Sequence, residues 1–380
     1  MYSLRDHGQM ISDPGRFGAY AKAIAAAVRP GDVVAEIGAG TGVFSLLACR
    51  AGARRVFAIE SDNIIQYARE LAAANGFSDR IEFFESNSCK TELPERANVV
   101  VSDIRGCMPL FEGAVPSLED ARERFLAPGG VLIPERDTLK AAVVQADDFY
   151  GRLLAPWSEC VSGVDLSALR VRLLNQGHTN HFEPQQLLAP GQEWGTLDYT
   201  VGAPARAAAQ LQFCATRGGT GHGICLWFET ALFGTIGFAT APGTPQNVYG
   251  QIFLPWLEPV ALREGEGIHV TLRADLVGED YVWQWETQIA TSADRPAVHF
   301  RQSTFDGAPY SAPALHRQAH DYVPTLTQNG QVDLWMLERM DGQASLQQIA
   351  QAAARQYPQV FATWQEAFRH AAELSAKMSR

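Results

Sequence analysis

Three glycines at alternate positions, Gly38, Gly40 and Gly42, follow the apolar run "VVAEI", and Glu60 closes the next apolar run, "RRVFAIE". Glycines at such a turn let the backbone approach a ligand without a Cβ in the way. A carboxylate that ends the neighbouring strand can accept hydrogen bonds from both hydroxyls of a ribose. Together they read as a nucleoside site. A dinucleotide fingerprint would place its third glycine at position 43, which is Val43. The shorter spacing suits a nucleoside that lacks a pyrophosphate, and S-adenosylmethionine is the expected ligand. A nicotinamide site, or a glycine turn that serves packing alone, are the alternatives.

The elements that must hold these residues follow from periodicity. "RFGAYAKAIAAAV" has helical spacing and is broken by "RPGD". Strands and helices then alternate: "VVAEIG", "GVFSLLACRAG", "RRVFAIE", "NIIQYARELAAANG", "RIEFFES", "ANVVVSDI", "SLEDARERFLAPGG" and "VLIP". That order predicts a mostly parallel, doubly wound sheet over residues 31–140, preceded by a helical segment at 1–30. Beyond residue 140, "LWFETALF", "IHVTLRADL" and "YVWQWETQI" alternate apolar and polar positions, as half-buried antiparallel strands do. A β-barrel or sandwich is expected over 141–315, interrupted by a polar, helix-prone insert at 152–190. From Val332 the pattern is helical again, which predicts a small helical unit at 320–380. Leu334, Leu337, Ile349, Trp364 and Phe368 are its expected core.

The bulk properties narrow the function classes. The net charge is −11 over 380 residues, so a nucleic-acid partner is not expected. No apolar run approaches the roughly 18 residues of a membrane span. The polar start "MYSLRDHGQM" has no signal-peptide core, and a cytoplasmic protein is expected. Six scattered cysteines form no CxxC pair, so neither a disulfide framework nor a metal site is indicated.

At this point the chain resembles the protein arginine methyltransferases, over about residues 7–310. "VVAEIGAGTGVFSLLACRAGARRVFAIE" resembles the family's cofactor turn and following acid. "SDIRGCMPLFE" resembles its double-glutamate loop, and "LAPGGVLIPERDTL" the strand after the last helix of the sheet. "HGQMISDPGR" resembles the segment that closes over the cofactor, and "LFGTIGF" its barrel. The resemblance implies a Rossmann-like class I methyltransferase domain, an antiparallel β-barrel domain, a dimerisation arm at 152–190, and hence a homodimer. It implies S-adenosyl-L-methionine as cofactor, S-adenosyl-L-homocysteine as product, and cofactor contacts from Met10, Arg16, Glu36, Gly38, Gly40, Gly42, Glu60, Ser61, Ser88, Cys89 and Asp103. Arg16 would meet the methionine carboxylate. Asp103 and Glu112 match the two catalytic acids, which clamp a guanidinium. Arg105, Met108, Asn247 and Tyr249 would line the substrate pocket.

The chain departs from the family's pattern in several places. Asp103 is one methylene shorter than a glutamate, Arg105 lies between the two acids, and Cys89 stands where an acid usually contacts adenine. The Thr-His-Trp loop reads Asn247, Val248, Tyr249, so the histidine that would pair with Asp13 is absent. The expectation is therefore methyl transfer to a nitrogen, guanidino or amine, of a peptide or small-molecule acceptor. A non-catalytic cofactor-binding scaffold, or O-methylation in a natural-product pathway, are the other readings. The C-terminal "LERMDG" region loosely resembles small winged-helix peptide-binding modules, and a packing extension is the plainer reading.

Overall fold

The computed structural model describes residues 2–158, 160–245, 247–290 and 296–379, the side chains of residues 160 and 161 excepted. The chain forms two compact units, residues 1–308 and 309–380.

The first unit begins with helices α1 (Leu4–Ile11) and α2 (Pro14–Ala27). Helix α2 starts two residues before the helical run read from the sequence at Arg16. Asp13 sits at the N-cap, its Oδ1 accepts from the Arg16 N–H at 3.0 Å, and Pro14 follows in the first turn. Its Ala19, Tyr20, Ala23, Ile24 and Ala27 share the buried face. Then come β1 (Val33–Ile37), α3 (Val43–Ala51), β2 (Arg55–Glu60), α4 (Ile65–Ala74), β3 (Ile81–Glu85), β4 (Ala97–Ser102), α5 (Ala114–Arg124) and β5 (Leu126–Ile133). The strands form one sheet in the order β3-β2-β1-β4-β5, every neighbouring pair parallel. Every residue of β1 is buried, as expected of a strand with helices on both faces. This is the doubly wound sheet expected from 31–140.

Next are β6 (Arg136–Val144), α6 (Asp147–Leu154), the two-residue strands β7 (Cys160–Val161) and β8 (Val164–Asp165), α7 (Arg170–Leu174) and β9 (His178–Asn180). Strand β9 itself pairs with the strand Gln251–Leu262 in an antiparallel sheet, while the span between α6 and β9 falls within the insert expected at 152–190. Val164, Leu169 and Val171 stand exposed on it. Strands β10 (Gln192–Asp198), β11 (Arg206–Cys214), β12 (Gly219–Phe233), β13 (Ile236–Ala239), β14 (Gln251–Leu262), β15 (Gly267–Val277), β16 (Asp280–Ile289) and β17 (Val298–Ser303) complete two antiparallel sheets, followed by the short helix α8 (Thr304–Gly307). One sheet runs β10-β6-β12-β14-β9 with β13 on β12, and the other runs β11-β15-β16-β17. Strand β15 alternates buried and exposed along most of its length, the signature read from "IHVTLRADL". The middle of β12 is buried without interruption from residue 221 to 228. One apolar core runs from the parallel sheet, through Phe57, Val100 and Leu118, into both antiparallel sheets, through Leu139, Leu226, Trp256 and Trp285.

The second unit has the short helix α9 (Ala312–His316) and three longer ones, α10 (Gln328–Leu337), α11 (Leu346–Gln356) and α12 (Trp364–Met378), with N-caps from Thr327, Ser345 and Thr363 on the last three. No strand occurs among its described residues, so the winged-helix likeness is not carried into structure. Its core holds Ile349 as expected, with Val332, Met336, Ala350, Ala353, Ala367 and Ala371. Leu334, Trp364 and Phe368 are exposed instead, and Leu337 is half-buried. On α12 the small Ala367 and Ala371, one turn apart, take the inward stripe and leave the large residues on its flank. No helix among the described residues is long and apolar enough to cross a membrane.

Two carboxylates tie this scaffold together. Asp13 caps α2 with Oδ1, while Oδ2 accepts the Val248 N–H at 3.0 Å and fastens the β13–β14 loop to the helix. Removing both contacts, Asp13→Ala should lower stability by about 1–2 kcal/mol in urea unfolding, and Asp13→Asn by less because it keeps a capping oxygen. A loss no larger than that of an exposed substitution would refute this role. Glu36 at the end of β1 accepts the N–H of Ser45 at 2.7 Å and its hydroxyl, which pins α3 to the strand. Burial pushes the Glu36 carboxyl up to about 8, against an ordinary 4.5. Between those values the folded chain holds a proton that the unfolded chain has released, so this group makes stability fall as pH rises. Glu36→Gln should remove that slope, and unfolding measured across the same window would show parallel curves if the assignment is wrong.

Candidate functional site

A cavity of about 570 Å³ opens at the carboxyl ends of β1, β2 and β4, where doubly wound sheets bind ligands. The glycine turn forms its floor. Gly38, Gly40 and Gly42 all have positive φ, at 70°, 53° and 74°. A Cβ on Gly38 would stand 2.3 Å from Ile104 Cγ2, and one on Gly42 would stand 2.9 Å from the Ala68 Cβ. Glycine is needed here for both conformation and space. Glu60 enters from the end of β2. Its Oε2 accepts the Gly40 N–H and its Oε1 the Asp62 N–H, both at 2.9 Å, so the turn itself orients this carboxylate. Glu60 lines the cavity, and its two oxygens keep acceptor capacity beyond these two bonds. Ser61 lies beside it, exposed.

Helix α1 lies over the glycine turn, with His7 Cε1 2.9 Å from where a Cβ on Gly40 would stand. His7, Met10 and Ile11, at helical spacing on one face, line the cavity together with Tyr2. Arg16 reaches in from α2. Its Nη1 donates to the Met10 carbonyl at 3.0 Å, and its Nε to Asp103 Oδ2 at 2.5 Å and to the Tyr249 hydroxyl at 3.0 Å. Its Nη2 has no protein partner among the described residues.

Asp103 and Glu112 bracket the loop after β4, and the structure treats them differently. Asp103 is buried. Its Oδ1 accepts the Tyr249 hydroxyl at 2.5 Å and Arg105 Nη2 at 3.3 Å. Burial pushes this carboxyl up, but the guanidinium groups of Arg16 and Arg105 outweigh it and hold the group below its ordinary value. Tyr249 shows the reverse: burial and the neighbouring Asp103 carboxylate both raise it, so the phenol keeps its proton and donates. Glu112 is exposed on the cavity wall, takes no hydrogen bond among the described residues, and has φ 41°. A left-handed backbone at a residue with a side chain costs about 1–2 kcal/mol and persists where its surroundings require it.

Five residues expected at the site do not line the cavity, among them Gly42, which packs against Ala68. Arg105 is fully buried and does not line the cavity. It donates through Nη1 to Asp137 Oδ1 at 2.5 Å and Thr230 Oγ1 at 2.8 Å, and through Nη2 to the Tyr20 hydroxyl at 2.7 Å. Met108 is drawn into the apolar core, where Val115 and Leu118 also lie. Asn247 is spent on its own loop, where its Oδ1 accepts the Tyr249 N–H at 3.0 Å and the Gly250 N–H at 3.2 Å. Cys89 is exposed in a turn whose Asn87 and Ser88 face the cavity in its place. The cavity also takes Phe17, Phe44, Cys107 and Phe111, which sequence reasoning passed over. The i, i+3, i+4 spacing of His7, Met10 and Ile11 was a readable signal; Phe44, one turn into an ordinary apolar helix, carried none.

Residues 21–134 match the family described as Ribosomal protein L11 methyltransferase (PrmA). Over 165 residues the chain is 35% identical to the probable protein arginine N-methyltransferase 6 of Arabidopsis thaliana, covering 43% of this chain and 38% of that one. Over 276 residues it is 28% identical to protein arginine N-methyltransferase 6 of Xenopus laevis, covering 69% and 81%. The chain spans between 38% and 63% of the length of the first curated relatives it matches. Among solved structures, the Trypanosoma brucei PRMT1 enzyme–prozyme heterotetrameric complex with AdoHcy aligns with a TM-score of 0.71 at 20% identity, covering 78% of this chain and 96% of that one. Arabidopsis thaliana protein arginine methyltransferase 10 aligns at 0.69 and 21% identity, covering 79% and 97%. At those identities the likeness is one of fold. The cavity suits a nucleoside ligand. Its volume lies in the usual range of about 300–1,000 Å³, the glycine floor admits close approach, Glu60 can accept from a ribose, and Arg16 keeps one nitrogen open to a carboxylate. In sequence and in fold, the chain is similar to the protein arginine methyltransferases, and its residues 21–134 match a methyltransferase family.

Proposed function

We propose that this chain transfers a methyl group from S-adenosylmethionine to a nitrogen of a peptide or small-molecule acceptor. The observation that carries the reading is one cavity holding both halves of such a site: the glycine floor with Glu60 at one side, Arg16 and Glu112 at the other. When bound, the cofactor supplies a methyl made electrophilic by its sulfonium. The chain's residues do the rest, and their work is mostly positioning. Glu60 would hold the ribose hydroxyls, and Arg16, itself held by Asp103, would meet the methionine carboxylate. Helix α1 screens the cavity from water. Glu112, exposed and without a protein partner among the described residues, is the group placed to accept the acceptor's proton.

The exposed Val164, Leu169 and Val171 on the insert support a homodimer formed through that arm. The free cysteines among the described residues suit a reducing, cytoplasmic setting. A second reading, cofactor binding without turnover, is favoured by one observation: Asp103 is already occupied by two of the chain's own guanidinium groups.

Incubation with the methyl-labelled cofactor and cell extract, followed by separation of proteins and small molecules, should yield a labelled product. Glu112→Gln should cut its formation at least about tenfold while cofactor affinity stays unchanged. Cofactor binding with no labelled product from either protein would favour the non-catalytic reading. Glu60→Gln should weaken binding of S-adenosylhomocysteine about tenfold by calorimetry, since it loses a charge-assisted contact. Equal affinities would place the nucleoside elsewhere.

A further inference from the structure

Resting on that methyltransferase reading, we infer that the acceptor nitrogen is an amine and not a guanidinium. A guanidinium is planar, carries its charge over a fork, and is held best by two acceptors side by side. The loop after β4 offers only one. Of the carboxylates that line the cavity, Glu36 accepts from Ser45, Glu60 from the Gly40 and Asp62 N–H groups, and Asp62 from the Ile64 N–H. Asp103 is committed more heavily. Arg16 Nε, Arg105 Nη2 and the Tyr249 hydroxyl take three of its roughly four acceptor positions. The side chain is 3% exposed, so little of it is left to present.

Charge leads to the same choice. Two guanidinium groups flank Asp103, at 2.5 and 3.3 Å. A third planar cation brought to this carboxylate would meet like charge at short range, which disfavours it. Glu112 is different: it lines the cavity and takes no hydrogen bond among the described residues. Phe111, its neighbour in sequence, also lines the cavity and is 37% exposed, and Tyr2 stands on the same wall. One free carboxylate with aromatic surface near it matches a compact, single-point cation, which is what a protonated amine offers.

The chemistry balances with the groups present. The bound ammonium passes a proton to the Glu112 carboxylate and becomes a neutral amine with a free lone pair. That lone pair forms the new N–CH3 bond as the S–CH3 bond breaks, and the pair from the broken bond stays on sulfur as a neutral thioether. The methylated ammonium leaves, and Glu112 returns its proton to water. A guanidinium would have to give up a proton held to a pKa above about 12, with one carboxylate in place of two to polarise it.

The test is a binding measurement on the full chain saturated with S-adenosylhomocysteine, titrated by NMR with butylamine and with butylguanidine. Butylamine should bind about tenfold more tightly, and Glu112→Gln should reduce that preference to within about twofold. The substitution is at an exposed position, so a matching melting temperature will show that the fold is intact. Equal or tighter binding of butylguanidine, an unchanged preference in Glu112→Gln, or no binding of either compound overturns this inference and leaves the methyltransferase reading standing. Failure of S-adenosylhomocysteine itself to bind overturns both. Labelled-methyl transfer to lysine peptides but not arginine peptides is the expected result in activity; arginine-only transfer overturns the inference.

Discussion

Four buried charges, Arg16, Asp103, Arg105 and Asp137, hold this site in place. Taking any one of them out of water alone would cost several kcal/mol. They are tolerated because they alternate in sign and because hydroxyl groups fill much of the remaining hydrogen-bonding capacity. Tyr199 donates to Asp137 at 2.8 Å, Tyr20 donates to the Ser102 carbonyl at 2.8 Å while accepting from Arg105, and Tyr249 donates to Asp103. The chain of contacts starts on α2, passes through the loop after β4, and ends on β6 and β12 of the antiparallel sheet. It is a buried polar spine between the parallel and the antiparallel sheet. Removing one member would strand its partner as an uncompensated buried charge.

The spine also decides what the loop can do. Because Asp103 and Arg105 are both drawn inward, the segment between them and Glu112 must double back, and Gly106 takes a positive φ of 58° with Phe111 packed 3.1 Å from where a Cβ would stand. Glu112 is thereby left on the outside, with its own backbone in the left-handed region. Two acids that look equivalent in sequence become a structural anion and a solvent-facing one. The tyrosine at position 249 completes the separation. Stacked on Phe238 with ring centroids 6.1 Å apart, it fills the volume beside Asp103 and donates to it.

The nucleoside end of the cavity is built from nearer neighbours. Gly40 and Glu60 hold each other by one hydrogen bond, and β1 and β2 are adjacent in the sheet. Glu36 and Ser45, nine residues apart, fix the helix that follows the turn. The floor still touches the loop after β4 at one point, where Ile104 fills the space that a Cβ on Gly38 would need.

Local chemistry was legible in the sequence. Glycine spacing, strand-ending acid and the change from βα alternation to two-residue alternation depend on residues within one or two elements, and they placed the sheet, the turn and Glu60, while Arg16 was indicated by the family resemblance. The fates of Arg105, Met108, Asn247 and Cys89 could not be read in that way. Arg105 finds its partners 32, 85 and 125 residues away, at Asp137, Tyr20 and Thr230. Only the packing of the antiparallel sheet against α2 brings those groups within reach, and burial then forces the cation to take them. The same holds for Trp364 and Phe368, whose helix turned small alanines inward. A sequence states which residues can do chemistry; which of them still have a lone pair to offer is decided by whatever the fold has set against them, because a buried charge must be satisfied before it can serve.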